Sequence, residues 1–124
     1  MAFEVNLQTV SVPASADLST KQFLFGTINA SGQVAVVGAG LASDGVIALG
    51  PAAQARPCAL ASFPGQIARV MAGASFANGA LLEADANGKA ITQSSGKILA
   101  KALAAAGAAG AAGDIVPVLL ILQR

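Results

Sequence analysis

From Gly73 to Leu122 the chain repeats one device, short apolar stretches broken by tight glycine-containing turns: GASFANGALLEADANGKAITQSSGKILAKALAAAGAAGAAGDIVPVLLIL. The stretches are built of Ala, Val, Ile and Leu. The turns are Ala77-Asn78-Gly79, Asp85-Ala86-Asn87-Gly88 and Ser94-Ser95-Gly96. Such a segment can build a surface and offers little from which to build an active site. The whole chain has no His, Trp or Tyr and one Cys, and only 10% of its residues are charged. A catalytic acid, base and nucleophile would have to come from six carboxylates, seven cations and scattered hydroxyls. A structural or binding role, without enzyme activity, is the expectation.

The 124 residues make one domain by length. Five Phe are the only aromatics, so few side chains supply the ~150–250 Å² of buried area that a ring brings. A thin core of Ala and Val is a weak source of stabilisation at about 25 cal/mol per Å². Yet 55% of residues are hydrophobic and the mean hydropathy is +0.69. Apolar surface is therefore left over, and self-association or docking on a partner is its simplest outlet.

A net charge of +1 and dispersed cations without interleaved aromatics give no electrostatic case for nucleic acid. Cys58 is alone and reads as a small buried hydrophobe, because a catalytic thiolate needs a base and there is no His. One Cys and no His also leave no metal site, and no cofactor is expected. Met1-Ala2-Phe3-Glu4 lacks the basic and apolar regions of a secretory signal. Ala102–Leu122 has about the length of a membrane span. Asp114 near its middle, Pro117 and several Gly argue against insertion and for a loop followed by a buried strand.

Residues 3–8 alternate, with Phe3, Val5 and Leu7 on one side. The phase then flips, and Val10 and Val12 carry the apolar face up to Pro13. Residues 1–17 thus read as an extended arm, and Phe3, Val5, Leu7, Val10 and Val12 as its candidate partner contacts. Residues 18–124 read as a β-rich domain. Lys21–Ile28 and Gln33–Val37 flank Asn29-Ala30-Ser31-Gly32 as a hairpin, and Leu81–Ala84 and Lys89–Thr92 flank Asp85–Gly88 as another. The contexts INASGQVAV and ADANGKAIT are alike; a weak internal repeat or shared turn chemistry accounts for that. Further strands are expected at Gly45–Leu49, Cys58–Ala61, Gln66–Met71, Ile98–Leu103 and Ile115–Leu122. Pro117 lacks an amide donor, which places the last strand at a sheet edge or on a bulge. The fold class is mainly β: a small single-domain barrel or sandwich of short strands and hairpins, with an extended N-terminal arm and at most one short helix.

Two motifs invite chemistry. A strand ending in Gly38-Ala39-Gly40 resembles the start of a dinucleotide-binding unit. Ser43 stands at the third glycine position, and no Asp or Glu occurs between Asp44 and Glu83. A Gly-rich turn is the plainer reading. Glu83 and Asp85 face the same side of an extended strand and could form an acid–base pair; a solvated turn edge is the plainer reading there too.

The order of several phrases resembles the capsid cement, or decoration, proteins of tailed double-stranded DNA bacteriophages. LSTKQFLFGTINASGQVAVVGAG looks like the opening hairpin, DGVIALGPAA the next strand and turn, and GQIARVMAGAS the strand ending in Ala-Gly. ANGALLEADANGKAIT looks like the second hairpin, and KILAKALAAAGAAGAAGDIVPVLL the closing strands around an Ala/Gly segment. The chain departs from that pattern at Pro57, Cys58, Pro64, Pro117 and Asn78-Gly79-Ala80. The resemblance implies a virion protein on the outer capsid surface, made in the host cytoplasm, whose partner is the major capsid protein. A homotrimer is the first choice of assembly and a dimer the second; no nucleic acid or membrane partner is expected. A tail or baseplate module and a small ligand-binding β-barrel are the competing readings.

Overall fold

The computed structural model describes residues 9–104 and 114–123. The described residues form ten strands: β1 (Thr9–Pro13), β2 (Phe25–Ile28), β3 (Val34–Val36), β4 (Gly45–Leu49), β5 (Pro57–Ala61), β6 (Ile67–Met71), β7 (Leu81–Ala84), β8 (Ala90–Thr92), β9 (Ala100–Ala102) and β10 (Ile115–Leu120). They build two five-stranded sheets in which every strand pairing is antiparallel. The fold is mainly β, as the alternation and turn spacing require, and no helix occurs among the described residues.

The first sheet has the order β1-β5-β4-β2-β3 and the second β6-β10-β9-β7-β8. Adding five to each strand number of the first order yields the second, so the chain is one five-strand unit built twice. The detail repeats as well. A lone parallel bridge ties Ala14 to Val34 in the first unit and Ala72 to Ala90 in the second, joining the two edges of each sheet. Phe23 N–H donates to Ile47 O at 2.7 Å, and Gly79 N–H to Ala102 O at 2.8 Å. Both hairpin turns use one device. Asn29 Oδ1 accepts from the N–H groups of Ser31 and Gln33, and Asp85 Oδ1 from those of Asn87 and Lys89. Gly32 and Gly88 close the turns at φ 75° and 78°, a conformation that costs an L-residue side-chain strain.

The two units fill the same space with different residues. A Cβ on Gly26 would lie 3.2–3.3 Å from Ile47, Leu60 and Val34. Its counterpart is Leu82, fully buried, and the residues at the matching positions are Ala102, Val118 and Ala90, all buried. A glycine among large neighbours in one unit thus balances a leucine among smaller ones in the other, which keeps both interiors close-packed. Ala14, Leu18, Val34, Ile47, Cys58 and Leu60 form a small core inside the first unit. The larger core spans the second unit and reaches Phe25, Val37, Val46 and Ala61 of the first.

One expectation is corrected. β10 is an interior strand between β6 and β9, with no register shift at Pro117. Leu120 N–H donates to Gln66 O and Ala72 N–H to Asp114 O, so the even-numbered residues of β10 make the ladder to β6. The nitrogen of Pro117 then faces β9, which has already ended. Leu103 N–H still donates to Pro117 O at 3.1 Å, and the missing return bond lies at the end of that ladder. Ser62–Gly65, between β5 and β6, carries the chain from one sheet to the other.

Candidate interaction surfaces

Of the expected partner contacts, Phe3, Val5 and Leu7 lie outside the described residues. Val10 and Val12 stand on β1, which pairs with β5 of the same chain, Val10 opposite Leu60 and Val12 opposite Cys58. Both are half-buried against the small core of the first unit. The described part of the expected arm is therefore an edge strand of the first sheet. The chain has two faces to satisfy there, and burial of Leu60 and Cys58 takes the Val10–Val12 side.

The residues that invited chemistry take structural roles. Gly38–Gly40 leads from β3 into a turn and not into a helix. Gly40 donates its N–H to Ala84 O (2.9 Å) and accepts from Lys97 N–H (3.0 Å), so its peptide groups join the two units and are not free to cradle a phosphate. Ser43 is fully buried; its hydroxyl donates to Gly26 O (2.7 Å) and accepts from Gly45 N–H (3.1 Å). Glu83 and Asp85 part company. Glu83 is buried and its Oε1 accepts from the N–H (2.6 Å) and hydroxyl (3.1 Å) of Ser94, while Asp85 caps its own turn. Cys58 is free and fully buried, and burial pushes its thiol pKa up. At Asp17, the hydroxyl and then the amide of Ser19 hold the carboxyl below its ordinary value. No cluster of three potential metal ligands occurs among the described residues, and no helix there is long and apolar enough to cross a membrane.

What the fold does present is apolar surface. β10 alternates, with Val116, Val118 and Leu120 inward and Ile115, Pro117 and Leu119 outward. Ile67 and Met71 of β6 flank the outward set on one side. Leu81 of β7 extends it on the other, where Lys101 pairs with both Leu81 and Leu119. Ile115 is 46% exposed and Leu81 40%. Arg69 and Lys101 are the cations on this face. A buried last strand was expected from the VPVLLIL run; only one side of β10 is buried, because the run is apolar on both faces and periodicity does not say which face finds a cover. A second feature is an open groove of about 610 Å³ beside Leu49, lined by Pro51, Ala52, Ala53, Arg56 and Pro57. A third is a cavity of about 340 Å³ where the units meet, with Val46, Ala48, Ala61 and Ala68 as its walls and Gln22, Phe23 and Arg69 around them. Phe23 holds φ 70° there, strain that the counterpart Gly79 avoids.

No family model, curated protein or solved structure matches this chain.

Proposed function

We propose that this protein is a structural component of a tailed-phage virion that binds the outer surface of the head between major capsid protein subunits and stabilises the shell. The observation that carries the reading is the outward apolar face of the second sheet where β10 runs beside β6, with Ile115, Pro117 and Met71. A half-exposed apolar sheet face is unfavourable in water and gains by being covered. The order of the phrases from Leu18 onward supplies the kind of partner. In this reading the chain carries out no reaction and needs no cofactor. It is made in the bacterial cytoplasm and acts as a homotrimer, a dimer being the second choice. Residues 1–8, with Phe3, Val5 and Leu7, extend the contact to a neighbouring subunit, and several linked contacts act together at high effective concentration.

The test is to mix the protein with empty heads and image the particles. Stoichiometric density over junctions between capsid subunits is expected, together with a higher disruption temperature of decorated heads. Density on the tail or baseplate would assign it to another part of the virion. Heads that neither bind the protein nor gain stability would overturn the reading. Ile115→Glu is expected to weaken head binding at least tenfold with the fold retained, since Ile115 is already half exposed.

A further inference from the structure

The two units meet through unlike surfaces. On the first unit, Val37 just after β3, Phe25 on β2, Val46 on β4 and Ala61 on β5 form a row, each at most 2% exposed. The second unit lies along this row with the end of β7 and the β7–β8 turn at Phe25 and with β6, at Ala68 and Met71, towards Val46 and Ala61. Phe25 N–H donates to Gly88 O (2.9 Å), Gly40 N–H to Ala84 O (2.9 Å), and Met71 N–H to Phe23 O (2.9 Å). Gly88 is pressed so close that a Cβ would strike Val36 and meet Phe25 O and Leu24.

The contact is not reciprocated. The counterpart of Gly88 is Gly32, and nothing lies within 4 Å of where its Cβ would be. The counterparts of Ala84 and Lys97 are Ile28 and Leu41, 41% and 59% exposed. The counterparts of the covered row are Gln93, Leu81, Lys101 and Leu119, among which Leu81 is 40% exposed. Each chain therefore uses one interface internally and leaves both of its complementary halves open, one on each unit. The Lys101 stem does not spoil the receiving face. Its Cε lies 4.0 Å from the Cβ position of Gly79, so the alkyl chain adds apolar cover while the ammonium stays at the rim.

We infer that the protein self-associates head to tail, the Ile28–Gly32–Leu41 surface of one copy seating on the Leu81–Leu119 row of the next. Such an association repeats between chains the contact already made within each. An interface of two unlike surfaces closes into a ring when its rotation permits, and units would then alternate around that ring. This deepens the oligomer part of the preceding reading, but its test needs no capsid.

The experiment is light scattering coupled to size exclusion on the wild type, Leu81→Glu, Leu41→Glu and an equimolar mixture of the two variants. Wild type is expected at one discrete multiple of the 12.0 kDa chain, and each variant alone as a single chain. The mixture is expected to form a 1:1 dimer and stop, because each variant keeps the half that the other lacks. Both residues are exposed, so the fold is retained; circular dichroism checks this, and Leu81→Ser and Leu41→Ser provide milder versions. A monomeric wild type, an oligomer unmoved by either variant, or a mixture that stays monomeric would each overturn the inference. A monomer that still decorates heads would sink this inference alone, and an oligomer that ignores heads would sink the capsid reading alone.

Discussion

Gly40 and Gly96 hold equivalent places in the two units and lie against one another: a Cβ on Gly96 would stand 2.5 Å from the Cα of Gly40 and would collide with the Glu83 carboxylate. The close approach lets Gly40 bond across to Ala84 and Lys97, and it leaves Glu83 room to bond Ser94. Gly96→Ala is expected to destabilise the fold by about 1–3 kcal/mol, the usual cost of forcing a group into a packed site. Urea denaturation measures it, and an unchanged midpoint would contradict the contact. Gly32→Ala, with open space around it, is the comparison; there only the φ of 75° is unfavourable.

The exchange of volume between Gly26 and Leu82 makes a second prediction. Gly26→Leu alone overfills the space between Ile47, Leu60 and Val34 and should cost about 1–3 kcal/mol. Ile47→Ala alone should cost about 2–5 kcal/mol through the cavity it leaves. The double variant imitates the second unit, where Leu82 stands beside Ala102. It should be more stable than the sum of the two losses, with a coupling of about 0.5–3 kcal/mol. Strict additivity would show that the two positions do not share a space.

Ala55 is exposed and held at φ 67° while its N–H donates to Ala14 O at 2.8 Å. Relief of left-handed strain is worth about 1–2 kcal/mol, and the extra unfolded-state entropy of a glycine costs about 0.5–1 kcal/mol. The first term is larger, so Ala55→Gly should raise the melting temperature slightly. A fall in melting temperature would show that the turn tolerates alanine without strain.

Burial raises the Cys58 thiol pKa by desolvating the thiolate. The native protein should resist a thiol reagent at neutral pH and react only on unfolding. The sign of the stability effect follows. The neutral thiol is favoured in the folded state, so its contribution is whole below the ordinary thiol pKa. It falls as pH rises from there towards the raised folded value. Cys58→Val places in the first unit the residue type that the second has at Val116. It should remove that part of the alkaline loss at less than about 1.5 kcal/mol. Rapid labelling of the folded chain would show that the thiol is accessible.

The local elements were legible in the sequence because local chemistry decides them. Asn29–Gly32 and Asp85–Gly88 each bring an acceptor side chain and a glycine to the two ends of a turn, and the flanking residues alternate. Gly45–Leu49 needed only its apolar run and the Gly-rich turn before it. The likeness of INASGQVAV to ADANGKAIT hints at a weak repeat, but turn chemistry alone is enough to explain it. The pairing order decided for the repeat: Gly26 against Leu82 and Ile47 against Ala102 erase the sequence likeness while conserving the volume that packing requires. Phe25 and Leu81 show the same division. Both are apolar strand residues at equivalent positions, and the sequence makes each a candidate for burial. Only the tertiary structure decides that Phe25 is covered and Leu81 is not, because cover is a property of what the chain brings alongside. The missing donor of Pro117, which the sequence does determine, predicts a sheet edge or a bulge. That the missing bond falls at the end of β9, inside the sheet, is a matter of register, and register is set by long-range pairing.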